Sequence, residues 1–353
     1  VRKGDTEWSG LPEKKKCPVV RDILDRKLVN IDIESCIEHT AQMIEGAKSI
    51  PSVSPTSGNF MSLNSTTLIL NSNGVEVEEE DSFVNASIDT TTKGAEISTG
   101  SEFDASRMLD IDFYSIGKTA ALLASRSQNG VSVGTGDMIV LLEPMAFADI
   151  IENTFLTSLN SDNVQKGRSA LTGKIGSLIA HEKLSLIDDG TLSGGIGTAS
   201  SDDEGTPSRI NELLKNGTLN SFIYDCYTAG KEKRESTGNA VRGSFTSTPS
   251  ISIRNLIVDY PTSDILSETK DGVIVNSVIG AHTANPISGD FSVEARNSFL
   301  IRDAEVASPI KSMMISGNIF ELLKNIDGAG KDLRRVGNII TPTLKVSKMK
   351  VIG

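Results

Sequence analysis

Met138-Ile139-Val140-Leu141-Leu142-Glu143-Pro144 is the stretch on which the fold turns. Its five apolar residues predict a short, wholly apolar strand. Pro144 then stands where a first helical residue belongs, because its ring presets φ and its missing N–H would find no partner there anyway. The helix it opens carries Phe147, Ile150, Ile151, Phe155 and Leu159. Downstream come many short strands with turn signals, at 184–187, 219–225, 250–260, 272–279, 291–301, 310–316 and 343–351. One late helix over 319–326 interrupts them, preceded by Gly317-Asn318. This spacing predicts antiparallel sheet.

Upstream of residue 130 the pattern differs. Residues 30–47 read as a helix, with Ile33, Cys36, Ile37, Ile44 and Ala47 on one face and Asn30 or Asp32 available as its cap. Residues 51–58 read as a Ser/Pro/Gly loop. Leu63 to Val77 reads as a hairpin on Asn71-Ser72-Asn73-Gly74, since Asn-Gly supplies the backbone angles that tight hairpin turns require. Residues 81–103 continue as Thr/Ser-rich strand. Phe113 to Ser127 reads as a second helix, ended by Asn129-Gly130. Residues 1–16 read as a polar surface arm anchored by Trp8. The fold class expected is α+β in two domains. Residues 1–129 are the remainder of an N-terminal α/β-type domain, incomplete at its start, and 130–353 form a domain dominated by antiparallel sheet. Val1 in place of Met points to a chain that begins inside a longer protein.

Composition narrows the function. The chain has 353 residues, 38% hydrophobic and 23% charged, which is the balance of a globular protein. A net charge of -11 argues against nucleic acid as a partner, because phosphate binding needs basic clusters. The basic runs Lys14-Lys15-Lys16 and Lys231 to Arg234 lack interleaved aromatics and read as solvated surface. No apolar run approaches the roughly 18 residues that span a bilayer, so no membrane is expected. Cys17, Cys36 and Cys226 are odd in number and far apart, which fits no disulfide framework and suits a reducing cytoplasm.

Motifs for catalysis are sparse. A hydrolytic zinc site takes about three protein ligands, usually His with a carboxylate, plus an open position for water. Only His39, His181 and His282 are present. His181-Glu182 begins like a zinc helix, but Ser185 occupies the place of the second imidazole, so His181 reads as structural. His39 reads as a packing or surface residue. His282 stands in the glycine-flanked loop Gly280-Ala281-His282-Thr283-Ala284-Asn285, the kind of place where functional residues sit, and is the one weak catalytic candidate. Ile116-Gly117-Lys118-Thr119 ends like a phosphate loop but lacks its first glycine and falls inside a helix. Gly134-Thr135-Gly136 lacks the third glycine of a dinucleotide fingerprint and precedes a strand. No Gly-x-Ser-x-Gly elbow occurs. Cys226 with His282 would need the fold to join them, and a buried inert thiol is the simpler reading. Asp188 and Asp189 are strand neighbours facing opposite sides, a poor catalytic pair. Asp202-Asp203-Glu204-Gly205 could bind a hard cation or form a solvated turn.

The runs Leu186-Ile187-Asp188-Asp189-Gly190, Asp202-Asp203-Glu204-Gly205-Thr206-Pro207, Leu213 to Leu219, Ser236-Thr237-Gly238-Asn239-Ala240, Gly280 to Asn285 and Ser288-Gly289-Asp290-Phe291-Ser292, in this order and spacing, resemble the TldD/PmbA family, also called modulators of DNA gyrase. The resemblance spans nearly the whole chain. It implies dimers, and proteolysis of unfolded or disordered peptides in the cytoplasm. It also implies a split between zinc-bearing TldD-like members, with a His-Glu-x-x-x-His helix and a later Cys, and TldE/PmbA-like members without them. The corresponding helix here, Met145 to Asn153, contains no His, and no Cys follows Cys226. The expectation is therefore a TldE/PmbA-like subunit with no metal and no cofactor of its own, paired with a zinc-bearing TldD-like chain or with itself. Asp202, Asp203, Glu204, Gly205, Thr237, Gly238, Asn239 and His282 are the expected binding residues. Two other readings stay open: a homodimeric peptide-binding or regulatory protein without catalysis, and a stand-alone hydrolase using His282 with the acids at 202–204.

Overall fold

The computed structural model describes residues 10–94 and 96–353. Trp8 lies outside them. The chain is a mixed α+β protein in which a three-stranded sheet with helices precedes a sheet-rich C-terminal region.

The first part runs α1 (Arg26–Val29), α2 (Ile33–Lys48), β1 (Val53–Leu70), β2 (Glu76–Thr92), β3 (Thr99–Ser106) and α3 (Phe113–Arg126). Asp32 caps α2 by accepting the Ser35 amide at 2.8 Å. The face expected for α2 is corrected: Ile33 and Ile37 are exposed, while Met43, Gly46 and Ala47 are buried. The reason is a helix crossing built on glycine. A Cβ on Gly117 would lie 1.8 Å from the Met43 carbonyl, and one on Gly46 would lie 2.0 Å from that of Tyr114. The two backbones touch, so α2 needs no large apolar stripe there. The phosphate-loop-like segment is thus the packing face of α3. The loop expected at 51–58 is also corrected, because β1 begins at Val53. The hairpin is longer than its signal, pairing β1 and β2 in antiparallel register from Val53↔Thr92 to Leu70↔Glu76. Its turn forms as expected, with Gly74 at φ 82 and the Asn71 side chain accepting the Asn73 amide at 2.8 Å.

The second part continues β4 (Gly136–Leu142), α4 (Pro144–Thr154), α5 (Leu156–Leu159), α6 (Ser161–Gln165), β5 (Ser185–Asp189), β6 (Ile210–Lys215), β7 (Thr218–Leu219), α7 (Cys226–Lys231), β8 (Ala240–Val241), β9 (Ser250–Ile251) and β10 (Leu256–Asp259). It ends with β11 (Asp271–Ile279), β12 (Asp290–Arg302), β13 (Glu305–Pro309), β14 (Met314–Asn318), α8 (Ile319–Lys324), β15 (Ile326–Ala329), β16 (Arg334–Val336), β17 (Ile339–Thr341) and β18 (Leu344–Ile352). Pro144 does open α4. The single helix expected through Leu159 breaks at Phe155, so Phe155 and Leu159 reach the core from different segments. The strand expected at 219–225 shrinks to β7. Phe222, Ile223 and Tyr224 are buried in irregular backbone instead.

One sheet has the order β16-β17-β10-β5-β6-β7. In the other, β11-β4-β18-β14-β12 follow one another and β12 pairs back onto β11, closing a five-stranded ring. Pairing is mostly antiparallel as expected, but β4 with β11 and β10 with β17 are parallel. Leu142, Phe147, Ile150, Leu186, Leu256, Val275 and Ile315 belong to one core that joins both sheets to α4. No helix among the described residues is long and apolar enough to cross a membrane.

Candidate functional site

The acid loop between β5 and β6 is built on its first carboxylate. Asp202 is fully buried and accepts the amides of Glu204 at 3.0 Å, Thr206 at 2.9 Å and Ala240 at 3.1 Å. Gly205 sits at φ 86, a region open to glycine without strain. The missing Cβ also makes room for the hairpin: one there would lie 2.4 Å from Val75 Cγ1. The tip of the first domain's hairpin therefore rests on the acid loop.

Asp203 accepts the Arg242 amide at 2.6 Å. Glu204 accepts the Cys226 amide at 2.7 Å. Thr237, Gly238 and Asn239 approach from the next loop. The Thr237 hydroxyl donates to Asn239 Oδ1 at 2.7 Å, and Asn239 Nδ2 donates to Asp188 Oδ2 at 2.7 Å and to the Ser252 carbonyl at 2.9 Å. Asp188 also accepts the Arg254 amide at 2.6 Å. Gly238, at φ 76, passes so close to Pro207 that a Cβ would meet its carbonyl at 2.9 Å. Seven of the eight expected residues thus form one hydrogen-bonded assembly. Asp188 lies at its buried centre, while Asp189 faces the other way, as alternation requires.

Burial governs the titration of this assembly. Desolvation pushes Asp202 up to about 7, against the amide donors that favour its charge. It raises Asp188 and Glu204 as well. Cys226 is pushed up to about 12, first by burial and then by Glu204 and Asp202. A thiol held so firmly protonated is a poor nucleophile.

Between the hairpin tip and this assembly lies a cleft of about 650 Å³, with Ile69, Leu70 and Asn71 on one side and Asp203, Glu204, Tyr227, Arg242 and Ile251 on the other. A smaller cleft, about 280 Å³, opens beside it and also touches Ile69 and Asp203. Two arginines in its wall, Arg107 and Arg254, carried no signal in the sequence. The loop carbonyls that Arg107 reaches, at 195, 196 and 198, lie far away along the chain.

The histidines are dispersed. His39 stacks on Phe113 with ring centroids 4.3 Å apart. His181 Nδ1 lies 3.3 Å from the Tyr260 hydroxyl. His282 is exposed on a 3-10 turn, Ala281–Thr283, that packs against α4 and β12. The structure sets it apart from the acid assembly and from Cys226, whose sulfur instead lies 3.4 Å from the Thr206 hydroxyl.

Comparison with known proteins agrees with this architecture. Residues 26–128 match the PmbA/TldA metallopeptidase central domain, and 135–353 match the PmbA/TldA metallopeptidase C-terminal domain. The chain is 35% identical to an uncharacterised protein of Methanocaldococcus jannaschii over 97% of its length and 79% of that protein's. The structure of TldE from Thermococcus kodakarensis superposes with a TM-score of 0.91 at 28% identity, over 100% of this chain and 81% of that one. A Thermotoga maritima protein described as a modulator of a DNA gyrase superposes with a TM-score of 0.92 at 26% identity, over 98% of this chain and 80% of that one. The metal implied by that family description finds no donor set here. Among the described residues no group of three His, Cys, Asp or Glu side chains is placed to hold a metal ion, and α4 offers only the exposed Asp149 and Glu152. With its central and C-terminal domains matched in order and its fold shared throughout, the chain belongs to the PmbA/TldD family.

Proposed function

We propose that this chain is a TldE/PmbA-type subunit of a two-component cytoplasmic peptidase. A zinc-bearing TldD-like chain supplies the metal, and this chain completes the chamber that receives unfolded or disordered peptide. The observation that carries the reading is the composition of the β4–α4 unit. The helix that follows Pro144 aims Ala146, Phe147, Ile150 and Ile151 into the core, and its ionisable residues are two exposed carboxylates without an imidazole. Carboxylates alone suit hard cations, whereas hydrolytic zinc is held by imidazole with carboxylate or thiolate.

What this chain's own residues supply is shape and polarity. The 650 Å³ cleft is long on backbone and loop surface, with the apolar Ile69, Leu70 and Ile251 beside Arg242 and the acids. Such a lining accepts an extended segment of mixed sequence, apolar side chains against the hairpin and amides against the polar wall. The Asp188–Asn239–Asp202 assembly holds that wall rigid.

The test is co-expression with a TldD-like chain from the same source. The expected result is a stable hetero-oligomer that cleaves a disordered protein, with stoichiometric zinc in the partner and none in this chain after separate purification. Zinc bound at one equivalent by this chain alone, or failure of the two to associate, removes the reading.

A further inference from the structure

Arg254 is a buried cation whose guanidinium has no direct hydrogen-bonded or ion-paired partner among the described residues. It precedes β10, it is only 9% exposed, and its Nε is sealed from solvent. Its backbone donates to Asp188 Oδ1, and its charge acts through space on that buried carboxylate and on Arg107 without a direct ion pair. Arg107, in the same 280 Å³ cleft, is the opposite case. It binds Asp81 Oδ1 at 2.8 Å and the carbonyls of Gly195, Ile196 and Thr198. The nearby carboxylates are hydrogen-bonded elsewhere: Asp81 to Arg107, Glu79 to the Ser200 amide at 2.8 Å, Asp203 to the Arg242 amide, and the fully buried Asp188 to Asn239 and the Arg254 amide. A guanidinium withdrawn from water demands an anion, and its planar fork of donors matches a carboxylate.

We propose that Arg254 anchors a carboxylate of the bound peptide, either its C-terminus or an acidic side chain. This rests on the peptide-chamber reading above and names what the chamber holds. The acids in the cleft wall disfavour small free anions. A carboxylate carried by a peptide is different, because the peptide's remainder occupies the 650 Å³ cleft, which meets the smaller one at Ile69 and Asp203. Binding energy gathered there brings the charge to Arg254. The exposed Ser252 hydroxyl in the same wall can donate to the second oxygen.

The experiment measures anisotropy of labelled unstructured peptides on the purified chain alone, so it is independent of any partner. Three versions of one sequence are used: a C-terminal amide without acidic residues, the same peptide with a free C-terminus, and the amide with one internal Glu. One or both carboxylate forms bind roughly tenfold more tightly than the amide, the value of a charge-assisted hydrogen-bonded pair. Which form gains identifies the source of the carboxylate. In Arg254→Met the advantage disappears while the melting temperature holds or rises, because no direct hydrogen bond or ion pair is lost and the backbone bond to Asp188 remains. Equal affinity of all three peptides, no binding by any, or an advantage that survives in Arg254→Met overturns the proposal. So does a fall in melting temperature in Arg254→Met, which would mark a structural ion. Failure to assemble with a TldD-like chain would leave these affinities unchanged, so the two readings fail separately.

Discussion

Asn239 donates its side-chain amide to Asp188 across 2.7 Å at a point where both side chains are fully buried. The contact links the end of β5 to the loop that leads into β8, and so ties the two loops lining the cleft. Replacing Asn239 with Ala removes one donor and leaves Asp188 with the Arg254 amide and the Asn211 side chain. The expected cost is on the order of 3 kcal/mol, because a buried carboxylate that loses a hydrogen-bond donor bears its desolvation uncompensated. Urea denaturation at neutral pH measures it. A loss below about 1 kcal/mol, the worth of an ordinary solvated hydrogen bond, would contradict this account.

Asp202 gives the stability curve a slope with a definite sign. Its carboxyl is raised from the ordinary range near 4 to about 7 by burial. A raised acid binds its proton more tightly folded than unfolded, so its contribution is full below about pH 4 and is lost as pH rises through about 7. Asp188 and Glu204, raised by the same cause, add slope of the same sign. Stability should therefore fall between pH 4.5 and 7.5 in that part of the curve that differs between wild type and Asp202→Asn, determined by urea titration at several pH values. An identical pH slope in the two proteins would mean that Asp202 keeps an ordinary carboxyl in the fold.

How much of this was legible depends on where the information sits along the chain. The β4–Pro144–α4 unit and the Asn73-Gly74 turn were readable because their causes are local: an apolar run, a proline ring, a left-handed glycine. The acid loop was readable only as a turn: Asp202 bonds its own neighbours at 204 and 206, but it is fully buried and not solvated, because the amides at 204, 206 and 240 replace water around it. The face of α2 was not. Its contact with α3 runs through Gly46 and Gly117, and glycine carries no hydrophobic signal. Residues 219–225 misled because burial in irregular backbone has the same apolar composition as a buried strand. Arg107 and Arg254 were invisible: one reaches loop carbonyls 88 or more positions away, and the other stands out by lacking a direct side-chain partner.

The glycine crossing makes its own prediction. Gly117→Ala places a methyl 1.8 Å from the Met43 carbonyl, backbone against backbone, with no side chain free to yield. Helix propensity alone would favour Ala by about 1 kcal/mol. The clash should outweigh it and destabilise the protein by about 3 kcal/mol, at the upper end for overpacking. A thermal scan checks the sign. A raised melting temperature would show that α2 and α3 separate at little cost.

Cys226 should be the slow thiol. Its Sγ is half-buried beside Thr206 and Glu204, and burial, with the charges of Glu204 and Asp202, pushes it up to about 12. Alkylation requires thiolate. Timed iodoacetamide labelling at pH 8, read by peptide mass spectrometry, should modify Cys226 more slowly in wild type than in Glu204→Gln, which removes the adjacent charge. Equal rates in the two would dissociate the thiol from that carboxylate.

Arg107 is the residue that clamps the hairpin sheet to the loop after β5. It is mostly buried, pairs with Asp81 Oδ1 at 2.8 Å, and donates to the carbonyls of Gly195, Ile196 and Thr198. No other side chain offers donors in that fork. Arg107→Met strands both Asp81 and the loop carbonyls, and should cost about 3 kcal/mol or more. The loss should also be local. Amide exchange over 192–200, followed by mass spectrometry, should quicken well beyond exchange in α4, because the loop's opening no longer requires breaking the clamp. Arg107→Lys keeps the charge near Asp81 but not the fork, so it should restore most of the stability and little of the loop protection. Uniform acceleration across the chain in Arg107→Met would mean that the residue supports the whole fold and does not hold this loop in particular.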